Sequence, residues 1–373
     1  MLEIIEVKTK KDRKEFVEYP LRLYKGNPYF VPPLYGDEMK LFTSKNIYND
    51  TCKSVFYLAK KDGKTVGRIQ GIIQTQYNEI HNTKQARFTR FDCENDTQTA
   101  KALFDKAEQW AKDNGMETVV GPLGYSDMER EGLLVEGFDY IATFEEQYNY
   151  AYYGVLVENC GYVKDVDWLE HRLFAIKAHD DRYEKFVNRA MERYNLHFVS
   201  KDIGKKEFLK KYADGIFHCI DECYKELYGT VPFTAEMRKQ TIEQFMLIIN
   251  MEYFATVCDE NDEVVAFGFS VPGIGKAVQK SGGKLTPACL IRLFKAIKNP
   301  EYIELGLVGI MPKFRKTGLS GMIMTILEEI LAKENVQFLE TNLNLEDNIN
   351  IQANWKHFEH IQHKRRRSYI KTL

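Results

Sequence analysis

The sequence has no apolar run close to the roughly 18 residues that a membrane-spanning helix needs. Its N-terminal stretch, MLEIIEVKTKKDRKEF, also lacks the apolar centre of a signal peptide. An excess of charge is absent too, because 52 Lys and Arg residues face 54 Asp and Glu residues and leave a net charge of −2. A chain so balanced has no global attraction for nucleic acid or an anionic membrane. These absences predict a cytoplasmic protein with neither nucleic acid nor membrane as a partner.

Cysteine is sparse, and its pattern offers neither a disulfide framework nor a metal site. The seven cysteines are scattered and odd in number, which favours reduced thiols. His218, Cys219 and Cys223 come closest to a metal cluster, but they lack a fourth ligand and the paired spacing that is typical of zinc. We therefore predict that they belong to a buried helix face and that the protein holds no metal.

Two phosphate-binding motifs are missing, and a different glycine-bearing loop is present. The sequence contains neither G-x-x-x-x-G-K-[ST] nor G-x-G-x-x-G. Residues 310–321, IMPKFRKTGLSG, instead join an apolar strand to a predicted helix. A helix N-terminus presents unpaired N–H groups and partial positive charge, to which Arg315 and Lys316 add full charges. Gly318 and Gly321 allow a close backbone approach, so the loop suits a diphosphate. A plain strand-to-helix turn with a solvated basic pair is the alternative.

The chain repeats one layout in its two halves. Residues 54–73 and 252–271 each read as an apolar strand, a polar turn and a second apolar strand, and each is followed by helical and strand segments. Self-similarity at about half the chain length predicts a duplicated α+β domain. We place the domains at residues 1–178 and 179–373.

Ile310, Pro312, Phe314-Arg315 and Gly318 fall on the V-x-P-x-[YF]-R-x-x-G-x-[GA] signature, with Ser320 at the last position. The loop thus resembles that of the GNAT acyltransferase superfamily. Longer stretches, such as NPYFVPPL (residues 27–34) and VVGPLGYS (residues 119–126), are similar to a bacterial tandem-GNAT group. The resemblance implies two tandem domains, each with a mixed, mostly antiparallel sheet flanked by helices.

The resemblance also implies acetyl-CoA or another acyl-CoA as co-substrate. At the position of this loop, the first half has RFDCENDTQTAKALF, which contains no glycine and lacks the arginine of the motif. Only the C-terminal half is therefore expected to bind the co-substrate. The N-terminal half would then form a wall of the acceptor pocket. The residues expected to contact the co-substrate are Val308, Ile310, Arg315, Lys316, Thr317, Gly318, Leu319, Ser320, Gly321 and Asn348.

Two residues are candidates for proton transfer. Glu304 lies six residues before Ile310, an offset at which some GNAT members carry a glutamate base. The alternative is a solvent-facing charge at a strand end. Tyr369 is a candidate acid, with packing in a terminal strand as its alternative. Trp355 or His357 falls where the family carries its usual tyrosine acid, so the acid stays unassigned.

The strongest charge run is HKRRR, residues 363–367, which we predict to lie on a solvated edge strand. Taken together with these residues, the GNAT resemblance implies a CoA-dependent N-acyltransferase acting on a small amine or amino-acid-like acceptor. A non-catalytic CoA-binding or ligand-binding protein is one alternative. A tRNA-dependent aminoacyl transferase on the same fold is the other.

Overall fold

The computed structural model of the protein describes residues 1–177 and 181–373. Within these residues the chain forms two compact units. The first comprises Met1–Leu169, Ile274–Leu293 and His363–Leu373, and the second comprises Glu170–Gly273 and Phe294–Gln362. The predicted domain boundary between residues 178 and 179 lies outside the described residues, and it stays a prediction.

The strands of the described residues are β1 (Leu2–Glu6), β2 (Cys52–Lys61), β3 (Lys64–Gln74), β4 (Gln85–Cys93), β5 (Thr118–Gly121), β6 (Leu133–Glu136), β7 (Val163–Ile176), β8 (His197–Phe198), β9 (Phe254–Cys258), β10 (Val264–Pro272), β11 (Ile303–Ile310), β12 (Leu339–Glu340), β13 (Asn344–Leu345) and β14 (Phe358–Thr372). The α-helices are α1 (Lys10–Leu23), α2 (Tyr35–Lys40), α3 (Thr75–His81), α4 (Thr97–Asp113), α5 (Tyr152–Asn159), α6 (Asp181–Tyr194), α7 (Lys205–Tyr224), α8 (Ala235–Ile248), α9 (Gly275–Gln279), α10 (Pro287–Lys298), α11 (Gly321–Leu331) and α12 (Ile349–Trp355). Two 3₁₀ turns cover Met251–Tyr253 and Pro312–Phe314.

The sheet of the first unit runs in the order β1-β2-β3-β4-β5-β14. All neighbouring pairs are antiparallel except β4 and β5, which are parallel. The predicted hairpin in residues 54–73 is confirmed. Its turn places Asp62 at φ 51° and Gly63 at φ 79°, and positive φ at both central positions matches the right-handed twist of the flanking strands. Helix α4 packs Leu103 and Phe104 into the core of this unit.

The sheet of the second unit runs in the order β7-β12-β11-β10-β9-β8. Only the part of β7 from Glu170 onward belongs to this unit. The described pairs are antiparallel, except that β11 and β12 are parallel. The predicted hairpin in residues 252–271 is confirmed as β9 and β10. Helix α11 follows the predicted loop and buries Met322, Met324 and Leu327. Mixed, mostly antiparallel sheets with flanking helices confirm the predicted α+β class.

The prediction that residues 363–367 lie on a solvated edge strand is wrong. These residues belong to β14, which pairs with β5 on its later residues and with β6 at Arg365–Arg367. Lys364 and Arg366 are fully buried. Asp167, with a side chain 1% exposed, accepts hydrogen bonds from Arg365 at 3.1 Å and from Arg367 at 2.8 Å. The buried Arg366 pairs with Glu146 at 3.6 Å. Carboxylates of the first unit therefore offset the charges of these three arginines.

Candidate functional site

Strand β11 loses its neighbour on one side halfway along its length. In the described part of the chain, β12 pairs with β11 only at Ile303 and Glu304. On the other side β11 stays paired with β10 up to Ile310, across a β-bulge between the pairs Ser270–Leu305 and Gly268–Val308. A bulge increases the local twist of a strand and often marks a functional site. The second half of β11 thus offers backbone groups to something other than a strand.

Two side chains from the end of α7 contact this edge of β11. The Tyr224 hydroxyl donates to the carbonyl oxygen of Val308 at 3.0 Å and accepts from its N–H at 3.2 Å. The Cys223 thiol donates to the carbonyl oxygen of Ile310 at 3.2 Å. Val308 and Ile310 are the residues whose backbones we expected to contact the acyl donor. Sequence reasoning missed Tyr224 altogether and assigned Cys223 to a buried helix face after considering it as a metal ligand.

The local charge favours a thiolate at Cys223. Its sulfur lies 3.9 Å from that of Cys219, one helical turn away. The hydrogen bond with Cys219 and the nearby Arg315 guanidinium lower the pKa of the Cys223 thiol. Cys219 is buried and Cys223 is half-buried, but His218 is exposed, so the predicted buried helix face is wrong for His218. Cys223 is thus a candidate for a reactive thiol beside the β11 edge.

The loop after β11 joins that strand to α11, and its role in binding the co-substrate stays a prediction. It begins with the 3₁₀ turn Pro312–Phe314 and passes through Gly318 at φ 96° before α11 starts at Gly321. Among the residues that the structure describes, the N–H groups of Lys316, Gly318 and Ser320 have no hydrogen-bond acceptor. Arg315 and Lys316 are exposed. Unpaired amides and two cations at a helix start can bind a phosphate group.

Helix α6 packs directly on this loop, and the close contact requires glycine at positions 318 and 321. A Cβ on Gly318 would lie 3.0 Å from the Cβ of Phe186, and one on Gly321 would lie 3.0 Å from the carbonyl oxygen of Tyr183. Any side chain at these positions would therefore displace α6. The sequence suggested only that glycine lets a ligand approach, so the packing requirement is an addition.

Glu304 is buried at the start of β11, 4% exposed, which excludes the alternative of a solvent-facing charge. It lies beside Glu340 on the parallel strand β12. Glu340 accepts a hydrogen bond from Arg172 at 2.7 Å, so that second carboxylate is neutralised. Burial, with the Glu304 and Glu340 carboxylates close by, raises the pKa of Tyr302 well above its ordinary value. Glu304 is thus a buried carboxylate beside an ion-paired one, and its role as the base stays a prediction.

Asn348, the predicted pantetheine contact, is the N-cap of α12, and its side chain accepts from the N–H of Ile351. The two positions considered for a tyrosine-like acid differ in setting. Trp355 is buried and donates to Asn344 at 2.8 Å. His357 is exposed and hydrogen-bonded to the Tyr183 hydroxyl at 2.9 Å. Of the two, only His357 could exchange a proton with a ligand.

Tyr369 belongs to the first unit, unlike the loop and Glu304. Its ring lies in the core of that unit, and its hydroxyl donates to Glu158 at 3.3 Å. Burial and the Glu158 carboxylate raise the pKa of Tyr369 to about 12. These contacts describe a packed core tyrosine, and its catalytic role stays a prediction.

Comparison with solved structures identifies the fold. A tandem GNAT protein from the clavulanic acid biosynthesis pathway matches with a TM-score of 0.53 at 13% identity, covering 100% of this chain and 98% of that one. A GCN5-related N-acetyltransferase from Sphaerobacter thermophilus matches with a TM-score of 0.50 at 10% identity, covering 99% and 95%. The chain has a tandem GNAT fold, as the sequence resemblance predicted.

Two curated proteins are similar over most of the sequence. Protein YghO of Escherichia coli K12 is 25% identical over 372 residues, covering 98% of this chain and 94% of the relative. A bacterial ceramide synthase of Caulobacter vibrioides is 27% identical over 331 residues, covering 86% and 84%. No protein-family model matches the sequence.

Proposed function

We propose that the protein is an acyl-CoA-dependent N-acyltransferase whose donor site lies on the second unit. The observation that carries the proposal is the loop after β11, where three backbone amides without a partner in the described part of the chain stand beside the exposed cations Arg315 and Lys316. These groups suit the diphosphate of CoA. Acetyl-CoA is the default donor, and a longer acyl-CoA fits the same requirement.

The co-substrate would supply a thioester, whose carbonyl carbon forms the new amide bond while the thiolate departs. For this reaction the protein must hold the donor, stabilise negative charge on the carbonyl oxygen and remove a proton from the attacking ammonium. The Val308 N–H is the candidate donor to that oxygen, once Tyr224 releases it. Glu304 is the candidate base. Tyr224 is the candidate for protonating the departing thiolate.

The acceptor is an amine in this proposal, and two kinds of amine deserve testing. Small amines and amino acids are the first kind. The similarity to a ceramide synthase supports long-chain amines as the second, because a ceramide is a long-chain amide. The same similarity supports a longer acyl group in the donor. Both kinds of acceptor would use the same fold and the same donor site. A screen of small and long-chain amines with one donor therefore separates the two possibilities.

The test is calorimetric titration with CoA and acetyl-CoA, using Arg315→Ala and the matched control Lys313→Ala. Both residues are exposed cations near the loop, but only Arg315 contacts the β11 end, through the Ile310 carbonyl at 3.2 Å. We expect Arg315→Ala to weaken CoA binding roughly tenfold, about 1.4 kcal/mol, and Lys313→Ala to leave it unchanged. Gly318→Glu should abolish binding, but the clash with Phe186 makes it the less specific variant.

Binding must then be linked to turnover. Release of free thiol in the presence of an amine would establish an enzyme and exclude the non-catalytic alternative. CoA binding without thiol release across the amine screen would favour a ligand-binding protein. No CoA binding by the wild-type protein would refute the proposal and turn attention to aminoacyl-tRNA donors.

A further inference from the structure

Helix α10 turns an apolar face to solvent. Ile291 is 70% exposed and Phe294 is 65% exposed, with Leu290 and Leu285 also exposed nearby. A surface helix in a globular protein ordinarily turns its polar face outward and its apolar face inward. Because α10 is one continuous helix, its geometry places Ile291 and Phe294 on the same face, three residues apart.

The opposite face of α10 is held in place by polar and apolar contacts. The Cys289 thiol is fully buried and donates to the Ala277 carbonyl at 3.6 Å. Arg292 donates to the same carbonyl at 3.1 Å. Leu293 packs against the core of the first unit. These contacts fix the orientation of α10. Its exposed apolar residues therefore do not result from a loosely packed helix.

The segment around α10 is strongly basic. Residues 264–300 contain no Asp or Glu, whereas the whole chain has 54. The same segment carries six cations, which are Lys276, Lys280, Lys284, Arg292, Lys295 and Lys298. All but Arg292 are exposed. The net charge of −2, from which we expected no attraction to an anionic membrane, thus conceals a basic segment of the sequence, in which Lys284 pairs with Glu18 at 3.9 Å.

We propose that α10 docks the protein onto the surface of an anionic lipid bilayer. Lys295 and Lys298 follow Ile291 and Phe294 by one turn on the same exposed face. In a helix that lies in the membrane interface, the apolar side chains enter the acyl boundary and long lysine side chains reach back to the headgroups. The helix is about 18 Å long at 1.5 Å per residue, so it can lie on a bilayer but cannot cross one. No helix of the described residues is long and apolar enough to span a membrane.

The charge distribution favours lipid over a second copy of the chain. A two-fold symmetric contact through α10 would set two cationic helices against each other, because residues 287–298 contain Lys295 and Lys298 but no Asp or Glu, and like charges in an interface cost binding energy. An anionic headgroup layer supplies the opposite charge instead.

A cleft beside the helix adds to this surface. It has a volume of about 710 Å³, and Phe294, Ile297 and Lys298 of α10 line it. Lys333 and Lys205 line it as well, but Lys333 pairs with Glu252 and Lys205 donates to the Met246 carbonyl at 3.2 Å. The cleft therefore adds an apolar lining and Lys298 to this end of α10.

The test is co-sedimentation of the full chain with vesicles of phosphatidylcholine alone and of phosphatidylcholine with phosphatidylglycerol. We expect binding to the anionic vesicles only, and release as the salt concentration rises. Ile291→Glu should weaken binding on the order of tenfold or more, because it places a carboxylate in the apolar face. The matched control is Val155→Glu on α5, at a residue 58% exposed on another helix.

The inference fails if the wild-type protein stays in the supernatant with anionic vesicles, or if Val155→Glu weakens binding as much as Ile291→Glu. A paired variant, Lys295→Gln with Lys298→Gln, repeats the test without a new charge in the apolar face, and circular dichroism checks its folding. Light scattering adds a further check. If the wild-type protein self-associates, and Ile291→Glu removes that association without any vesicle binding, the face is a protein interface and the proposal is overturned.

Discussion

The Tyr224 hydroxyl makes two hydrogen bonds to one residue of β11, donating to the Val308 carbonyl at 3.0 Å and accepting from the Val308 N–H at 3.2 Å. A side chain thus occupies both backbone groups at the place where β11 has lost its neighbour β12. If an acyl donor uses the Val308 N–H, it must first displace Tyr224. The ligand and the side chain then compete, and the competition can be measured.

Tyr224→Phe tests this competition, because it keeps the ring and removes the hydroxyl. We expect the free energy of unfolding to fall by about 1 kcal/mol, the usual net value of a hydrogen bond, while affinity for acetyl-CoA rises. Thermal denaturation and calorimetry measure the two effects. Tyr212→Phe is the control, since Tyr212 lies on the same helix and bonds to Asp262 at 3.0 Å. Equal acetyl-CoA affinities for both variants would show that Tyr224 does not compete.

Cys223 should react with iodoacetamide at lower pH than Cys52. Both thiols are half-buried, so the reagent reaches them to a similar extent. Burial raises the pKa of Cys52 to about 12, whereas the hydrogen bond with Cys219 and the nearby Arg315 lower that of Cys223. The thiolate is the reactive form and its fraction rises with pH, so the Cys223 rate should level off first. Peptide mass spectrometry follows both sites.

Two further results belong to the same experiment on Cys223. Arg315→Ala should move its reaction profile to higher pH, because the variant removes a cation that favours the thiolate. CoA should protect Cys223 and leave Cys52 unaffected. Identical pH profiles for the two cysteines would contradict the electrostatic description of the site.

Asp167→Asn should destabilise the protein by about 3 kcal/mol, the lower end for a broken buried ion pair, because Arg365 and Arg367 keep partial solvent contact. Burial would raise the pKa of Asp167, but hydrogen bonds from Arg367 and Arg365 hold it below its ordinary value. Its folded pKa thus lies below its unfolded pKa of about 3.9. The stabilisation is complete above that value and is lost as pH falls through the folded pKa.

Urea denaturation at neutral and acidic pH measures this effect of Asp167. Asp105→Asn is the control, since Asp105 pairs with Lys101 at 2.7 Å on an exposed helix surface and should cost less than about 1 kcal/mol. A loss for Asp167→Asn no larger than for Asp105→Asn would show that the buried cluster does not stabilise the first unit.

Local sequence signals predicted the parts of the fold that depend on near neighbours. The Asp62-Gly63 turn, the β9–β10 hairpin and the loop into α11 each carry their information within a few residues. The contacts that escaped prediction join distant segments. Tyr224 and Val308 are 84 residues apart, and Asp167 and Arg367 are 200 apart. Nothing near Tyr224 distinguishes it from a tyrosine at the end of any amphipathic helix, so only the folded chain shows its partner.

The candidate site divides in the same way. The glycines at 318 and 321 were found through a motif, but their contact with α6 was not, because the pattern of α6 indicates only an amphipathic helix. The burial of Glu304 was likewise uncertain, since the sequence does not show that Glu340 lies beside it and is neutralised by Arg172. From sequence alone, a charged residue in a strand is predicted to be exposed to solvent. Burial becomes predictable only when the neighbouring groups that offset the charge are known.

Glu304→Gln should lower turnover at least a hundredfold, the lower range for a lost general base, while CoA affinity stays within about twofold. Steady-state rates with a responsive amine and calorimetry with CoA measure the two quantities. The Glu340→Gln control changes the same side chain on the adjacent strand. Because Glu340 is paired with Arg172, that variant should lower thermal stability more than turnover. Equal turnover for wild type and Glu304→Gln would remove Glu304 from the mechanism and leave proton removal to bulk water.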